Sequence, residues 1–159
     1  MKNAAPATVT VTVHRTFKAS QERVFNAWLD PEKAKKFLFN HHDGAHGGQH
    51  VVRAEIDARV GGKFLFVAHR AAKDGKEARD SDHYGEYLEI DRHRRLAFTL
   101  ICPCGWSETT RVTIDFAALG TGGCELTLTH EGLPANLEGP IFEGWTEFMV
   151  ALEKLQAGI

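Results

Sequence analysis

Between residues 8 and 18, Val9, Val11, Val13 and Phe17 alternate with Thr8, Thr10, Thr12 and Thr16. A period of two in β-branched residues predicts a strand with one buried face. Ser20 then has the chemistry of a helix N-cap, and Glu22 follows in the first turn, where negative charge suits the helix dipole. Val24, Phe25, Trp28 and Leu29 share one helical face, and Asp30-Pro31 closes this helix and opens a second that runs to about Phe37. The stretch from Asn40 to His50 has no apolar period and holds three Gly and four His, which predicts a loop.

Alternation resumes at Val52, Ala54, Ile56 and Ala58, and Gly61-Gly62 supplies a hairpin turn. The return strand over 63–70 carries Phe64, Leu65, Phe66 and Val67 on both faces, so burial on both sides is expected. Lys73 to Asp82 is charged and predicts a solvated loop. Four further strands are predicted near 83–91, 94–102, 108–118 and 123–131, with turn residues at Asp91–Arg94, Pro103–Ser107 and Gly120–Gly123. Short connections of this kind join antiparallel neighbours. Pro134 and Pro140 bracket a predicted loop. Ile141, Trp145, Phe148, Leu152 and Leu155 then repeat at 4-3-4-3 spacing, which predicts one amphipathic helix ending before Gly158.

The order strand, two short helices, six strands, long helix is an α+β arrangement with a mostly antiparallel sheet. One helix is roughly 10–12 Å wide with its side chains, too narrow to seal a seven-stranded sheet. A sheet curled around it is expected to leave a gap lined by apolar side chains.

The chain has 159 residues, enough for one domain, with residues 1–7 expected to form a disordered tail. Lys and Arg number 19 against 21 Asp and Glu, a net charge of -2 that removes the electrostatic reason to expect nucleic acid or an anionic membrane as partner. Near-neutrality also points to an uncharged, enclosed ligand. Three cysteines cannot complete a disulfide framework, and residues 1–8 lack the apolar segment of a signal peptide. A reducing cytoplasm is the expected compartment. The oligomeric state is open, a homodimer among the options.

Six segments in order carry a resemblance: RTFKASQERVFNAWLDPEKAKKF (15–37), RAEIDARVGGKFLF (53–66), GEYLEIDRHRRLAFT (85–99), TRVTIDF (110–116), ELTLTHEGL (125–133) and GWTEFMVALEKL (144–155). Together they resemble the START-like, or SRPBCC, helix-grip superfamily, in its bacterial branch related to the C-terminal domain of the heat-shock-protein ATPase activator. The resemblance implies a curved antiparallel sheet of about seven strands wrapped around a long C-terminal helix, with a cavity for a small apolar ligand between them. It implies little chemistry, because one fold hosts many functions. Phe37 stands where family members commonly carry Trp, at the expected cavity mouth.

Individual residues sharpen the expectation. His41, His42, His46 and His50 could furnish a zinc or nickel site, but a Gly-rich loop presents ligands poorly, and no metal or other cofactor is expected. Cys102-Pro103-Cys104 is a C-x-C in a turn and Cys124 reads as a small buried apolar residue. His130 shares strand parity with Cys124, Leu126 and Leu128, whereas its neighbour Glu131 points to the other face, so the two are badly placed to act as an acid–base pair. His69 and Tyr87 are polar tips among apolar neighbours, suited to orienting a ligand. No phosphate-loop, dinucleotide, nucleophile-elbow or zinc-protease motif occurs.

The chain has 10 Phe, and its aromatic residues exceed what a thin core uses comfortably. The expected ligand-binding set is Phe37, Phe66, His69, Tyr87, Phe98, Trp106, His130, Trp145 and Phe148, with Trp106 in a turn at the mouth or exposed. The reading is a carrier of a lipid-like or aromatic molecule rather than an enzyme. An enzyme of the same fold using His130 or Tyr87, or a chaperone-interacting module, is the alternative.

Overall fold

The computed structural model describes residues 8–40, 48–72, 75–103 and 105–156. The expected tail 1–7, three of the clustered histidines (His41, His42 and His46) and Cys104 lie outside them. Strand β1 (Thr8–Phe17) leads to helices α1 (Gln21–Leu29) and α2 (Pro31–Phe37). Six strands follow: β2 (Gln49–Ile56), β3 (Lys63–Arg70), β4 (Arg79–Asp91), β5 (Arg95–Cys102), β6 (Trp106–Ala118) and β7 (Cys124–Pro134). A 3-10 turn (Ala135–Leu137) runs into the long helix α3 (Glu138–Gln156). This is the expected α+β helix-grip architecture. Among the described residues no helix is long and apolar enough to cross a membrane.

Local chemistry accounts for the helix starts. Ser20 accepts a hydrogen bond from the Arg23 amide at 3.2 Å, and Asp30 accepts one from the Glu32 amide at 3.0 Å, with Pro31 at the first helical position. Pro140 does not end in a loop as the sequence suggested. It is the third residue of α3, where the first four amides have no intrahelical partner and a missing N–H costs nothing.

The seven strands form one antiparallel sheet in the order β1-β7-β6-β5-β4-β3-β2. The strands differ from the sequence expectation in several places. Arg79 to Asp82 belong to β4, because they pair with Val67 to Arg70 despite their charge. Trp106 opens β6 opposite Cys102 and is buried, rather than lying in a turn. A bulge between Val51 and Arg53 turns Val51 inward and leaves Val52 54% exposed, so the alternation read from Val52 began one residue out of phase. In β3 only Phe64, Phe66 and Ala68 are fully buried, while Leu65 and Val67 are half-buried on the outer face.

Strand spacing of ~4.8 Å makes a seven-stranded sheet about 29 Å across, against roughly 10–12 Å for α3. The deficit is met in two ways. α3 buries Trp145, Phe148, Met149 and Leu152 against the concave face, and α1 and α2 cover part of the remainder. α1 contributes Val24, Phe25 and Trp28, and α2 contributes Ala34 and Phe37. Phe37, expected at a cavity mouth, is fully buried with its ring edge-on to Trp28 at 5.1 Å.

One glycine is fixed by a close approach between strands. A Cβ on Gly85 of β4 would stand 1.8 Å from the Thr99 carbonyl oxygen and 2.9 Å from the Phe64 ring. Relief requires parting β4 from β5, because the clash is with backbone. Gly85→Ala is expected to cost about 3 kcal/mol or more, measured as a fall in urea-unfolding free energy. A cost below ~1 kcal/mol would show that β4 and β5 do not approach this closely.

Candidate functional site

Phe39 is the only non-glycine residue at positive φ among the described residues, at 60°. Asn40 beside it is buried and fully used. Its amide nitrogen donates to the Lys35 and Leu38 carbonyls at 2.7 and 3.0 Å, and its oxygen accepts from the Val51 amide at 3.0 Å. Gln49 donates to the Phe39 carbonyl at 2.9 Å. These bonds tie the end of α2 to β2 and outweigh the backbone strain of an aromatic residue in this region. The turn drives the Phe39 ring between sheet and α3, stacked on His83 at 4.2 Å and edge-on to Phe148 at 5.6 Å.

With Trp145, the Phe39 ring divides the space under α3. On the α2 side lies a void of about 10 Å³ among Trp28, Phe64, Phe66, Tyr87 and Phe98, with room for one water at most. On the other side a cleft of about 240 Å³ opens between the start of α3, the β5–β6 turn and the ends of β3 and β4. Trp106, Trp145, Phe148, Ile141 and Leu137 give it an apolar wall. Gly144 lies on the same helical face, and a Cβ there would meet no atom within 4 Å. The absence of a side chain at this turn of α3 leaves open space.

His130 is the buried polar residue on the cleft's β7 side. The Trp145 indole N–H donates to its Nδ1 at 3.0 Å, and its Nε2 lies 2.7 Å from the Thr110 hydroxyl. An indole can only donate, so Nδ1 carries the lone pair and Nε2 carries the proton. Nε2–H therefore donates to Thr110, whose own hydroxyl donates to the Leu100 carbonyl at 2.6 Å. Every polar atom of this relay is used. Burial pushes the His130 pKa from 6.5 to about 3, and the Trp145 N–H would confront any second proton on Nδ1.

The nine expected site residues separate into three groups. Trp106, His130, Trp145 and Phe148 come together on the cleft. Phe66, Tyr87 and Phe98 surround the small void instead, and Phe37 packs behind it against Trp28. Burial, with a lesser contribution from Asp57, raises the Tyr87 pKa, which keeps the hydroxyl neutral. His69 is misplaced. It alternates with the inward Phe66, Ala68 and Arg70, so it faces outward, where Nδ1 meets Asp80 at 2.6 Å. His50 pairs opposite His69, with ring centres 5.9 Å apart, and among the described residues no group of three or more His, Cys, Asp or Glu could hold a metal ion.

Reading the sequence missed Arg70, Arg79, Ser81 and His83, all on the cleft. Arg79 and Ser81 fall in the predicted solvated loop and His83 opens the strand predicted after it; all three alternate in phase with buried Tyr87, and that period was the available signal. Cys124 is buried as expected, and burial raises its thiol pKa.

A neutral buried His130 has a consequence for stability. The unfolded imidazole takes up a proton near pH 6.5 and the folded one does not, so its contribution is fully present above pH 6.5 and is lost progressively as pH falls toward 3. Between pH 7 and pH 5 the loss is about 2 kcal/mol. His130→Gln lacks this titration, so its stability deficit relative to the unaltered protein is expected to shrink by that amount in urea unfolding at the two pH values. An unchanged deficit would mean that folded His130 titrates normally.

Several solved structures share this architecture. Protein CV1439 of Chromobacterium violaceum matches with a TM-score of 0.77 and 28% identity, covering 92% of this chain and 96% of its own. Protein NE0264 of Nitrosomonas europaea matches at 0.75 with 19% identity, covering 94% of each chain. SA2116 of Staphylococcus aureus, described as a protein of unknown function, matches at 0.77 with 16% identity over 98% of each. Comparison with curated proteins finds no match. The family model described as Activator of Hsp90 ATPase homolog 1-like protein matches residues 18–157, nearly the whole helix-grip unit, and the chain belongs to that family.

Proposed function

We propose that this protein binds one small, largely apolar molecule in the cleft beneath the first half of α3. The observation that carries the reading is the combination of an aromatic wall with the missing side chain at Gly144. A glycine inside a helix costs about 1 kcal/mol relative to alanine, and here it keeps open a space that any larger residue would enter. The volume of about 240 Å³ exceeds the ~150 Å³ cavity that accepts benzene and falls short of the ~300 Å³ at which drug-sized sites begin. That range suits a bicyclic or tricyclic aromatic or a medium-length alkyl chain. The Hsp90-activator name of the family adds no chemistry to this site.

Binding is favoured over proton transfer by the state of His130. Nδ1 is occupied by Trp145 and Nε2 by Thr110, so neither ring nitrogen is free to exchange a proton with a ligand. Within this reading His130 fixes the position of the Trp145 ring, and the indole face forms part of the wall.

Fluorescence titration with 1-aminoanthracene, a neutral tricyclic probe, tests the proposal together with Gly144→Leu. The unaltered protein is expected to take up the probe. The variant is expected to lose about tenfold or more in affinity while its unfolding free energy holds or rises by up to ~1 kcal/mol, since leucine is the better helix former. No uptake by the unaltered protein, or equal uptake by a folded variant, overturns the reading.

A further inference from the structure

The concave face changes in polarity along β2, β3 and β4, row by row. Innermost are Ile56, Phe64 and Gly85, then Ala54, Phe66 and His83. Next come Val51, Ala68 and Ser81, and the outermost row, at the cleft mouth, is Gln49, Arg70 and Arg79. Arg70 and Arg79 are direct cross-strand partners, an arrangement that places like charges roughly 5 Å apart at Cβ and is destabilising by itself.

The outer face of the same two strands is built the other way. There the neighbouring cross-strand pair is His69 with Asp80, joined at 2.6 Å. Among the described residues neither arginine has an ion-pair partner on the cleft face, and none of those lining the cleft is Asp or Glu. His83, only 6% exposed and also on the cleft, has an Nδ1 with no hydrogen-bond partner among the described residues. A buried polar atom in that state costs about 1–3 kcal/mol. The other such atom, Trp28 Nε1, belongs to a side chain on the void that holds at most one water, whereas His83 borders space for a ligand.

We propose that the cleft selects an amphipathic acid: an apolar body against Trp106, Trp145 and Phe148, and a carboxylate held between Arg70 and Arg79 on the Ser81 side of the mouth. This rests on the binding function proposed above and names the chemical class it serves. Two guanidinium groups on facing strands match the geometry of a carboxylate, which accepts paired N–H bonds, and the anion relieves their mutual repulsion. A neutral ligand of the same shape fills the apolar part and leaves that repulsion in place.

Decanoate and decan-1-ol, which share a chain length and differ in charge, test this in competition with 1-aminoanthracene at pH 7. In the unaltered protein decanoate is expected to compete about tenfold better than the alcohol. The double variant Arg70→Gln, Arg79→Gln is expected to lose that preference while keeping its affinity for the alcohol and the probe, which also reports that it is folded. Rising salt is expected to weaken decanoate alone. Equal binding of acid and alcohol by the unaltered protein, or an acid preference that survives in the double variant, overturns the acid proposal and leaves apolar binding standing. Failure of the unaltered protein to bind the probe, the acid or the alcohol overturns both.

Discussion

A seven-stranded sheet is more than twice as wide as the helix that lies on it, and most of the internal architecture answers that mismatch. Apolar sheet surface left uncovered is expensive, at ~25 cal/mol per Å², so the chain needs a second cover. α1 and α2 provide it over part of the concave face through Trp28, Ala34 and Phe37. Phe39 sets the limit of that cover. Asn40 holds its backbone at φ 60°, and the ring wedged against His83, Phe66 and Phe148 separates the filled interior from the cleft. With Phe39 in an ordinary extended conformation, the wedge would leave this position and the boundary between void and cleft would go with it.

Two buried histidines border the cleft under opposite conditions. His130 has both nitrogens satisfied in a relay that begins at an indole donor and ends at a backbone acceptor. A chain closed in this way admits a single arrangement of protons and resists a second charge, so it behaves as structure. His83 stacks on Phe39 but leaves Nδ1 without a partner. The difference is one of neighbours rather than burial: Thr110 and Trp145 converge on His130, whereas His83 is flanked by an aromatic face and open space. An unsatisfied group beside a cleft is a better guide to recognition than a satisfied one, because a ligand can lower its energy.

The fold was readable because period-two and period-3.6 patterns report which face is buried, and both are strong here. Val11, Val13 and Phe17, or Trp145, Phe148 and Leu152, need no further information. The site was readable only where parity was applied. His130 was placed correctly by its phase with Leu126 and Leu128. The same test applied to His69, against Phe66 and Ala68, assigns it to the outer face. What parity cannot supply is which aromatic residues fill a core and which border space. Phe66 and Phe98 have the composition and phase of lining residues, yet Trp28, Phe37 and Phe39 from outside the sheet reduce the space before them to about 10 Å³. The bulge at Val51 and the left-handed turn at Phe39 are equally invisible in a hydropathy pattern, since both depend on bonds between segments distant in sequence.

Net charge is blind to this arrangement for a related reason. A total of -2 suggested an uncharged partner, but a sum over the chain has no knowledge of faces. Arg70 and His69 are adjacent in sequence and point to opposite sides of β3, as Arg79 and Asp80 do in β4. Asp80 offsets one arginine in the sum while pairing with His69 across the sheet from it. The pleat therefore sorts a nearly balanced sequence into a complementary outer pair and an unbalanced inner one. The inner pair stands at the mouth of a concave surface with an apolar wall, and such low-dielectric walls focus its field on a group bound in the cleft.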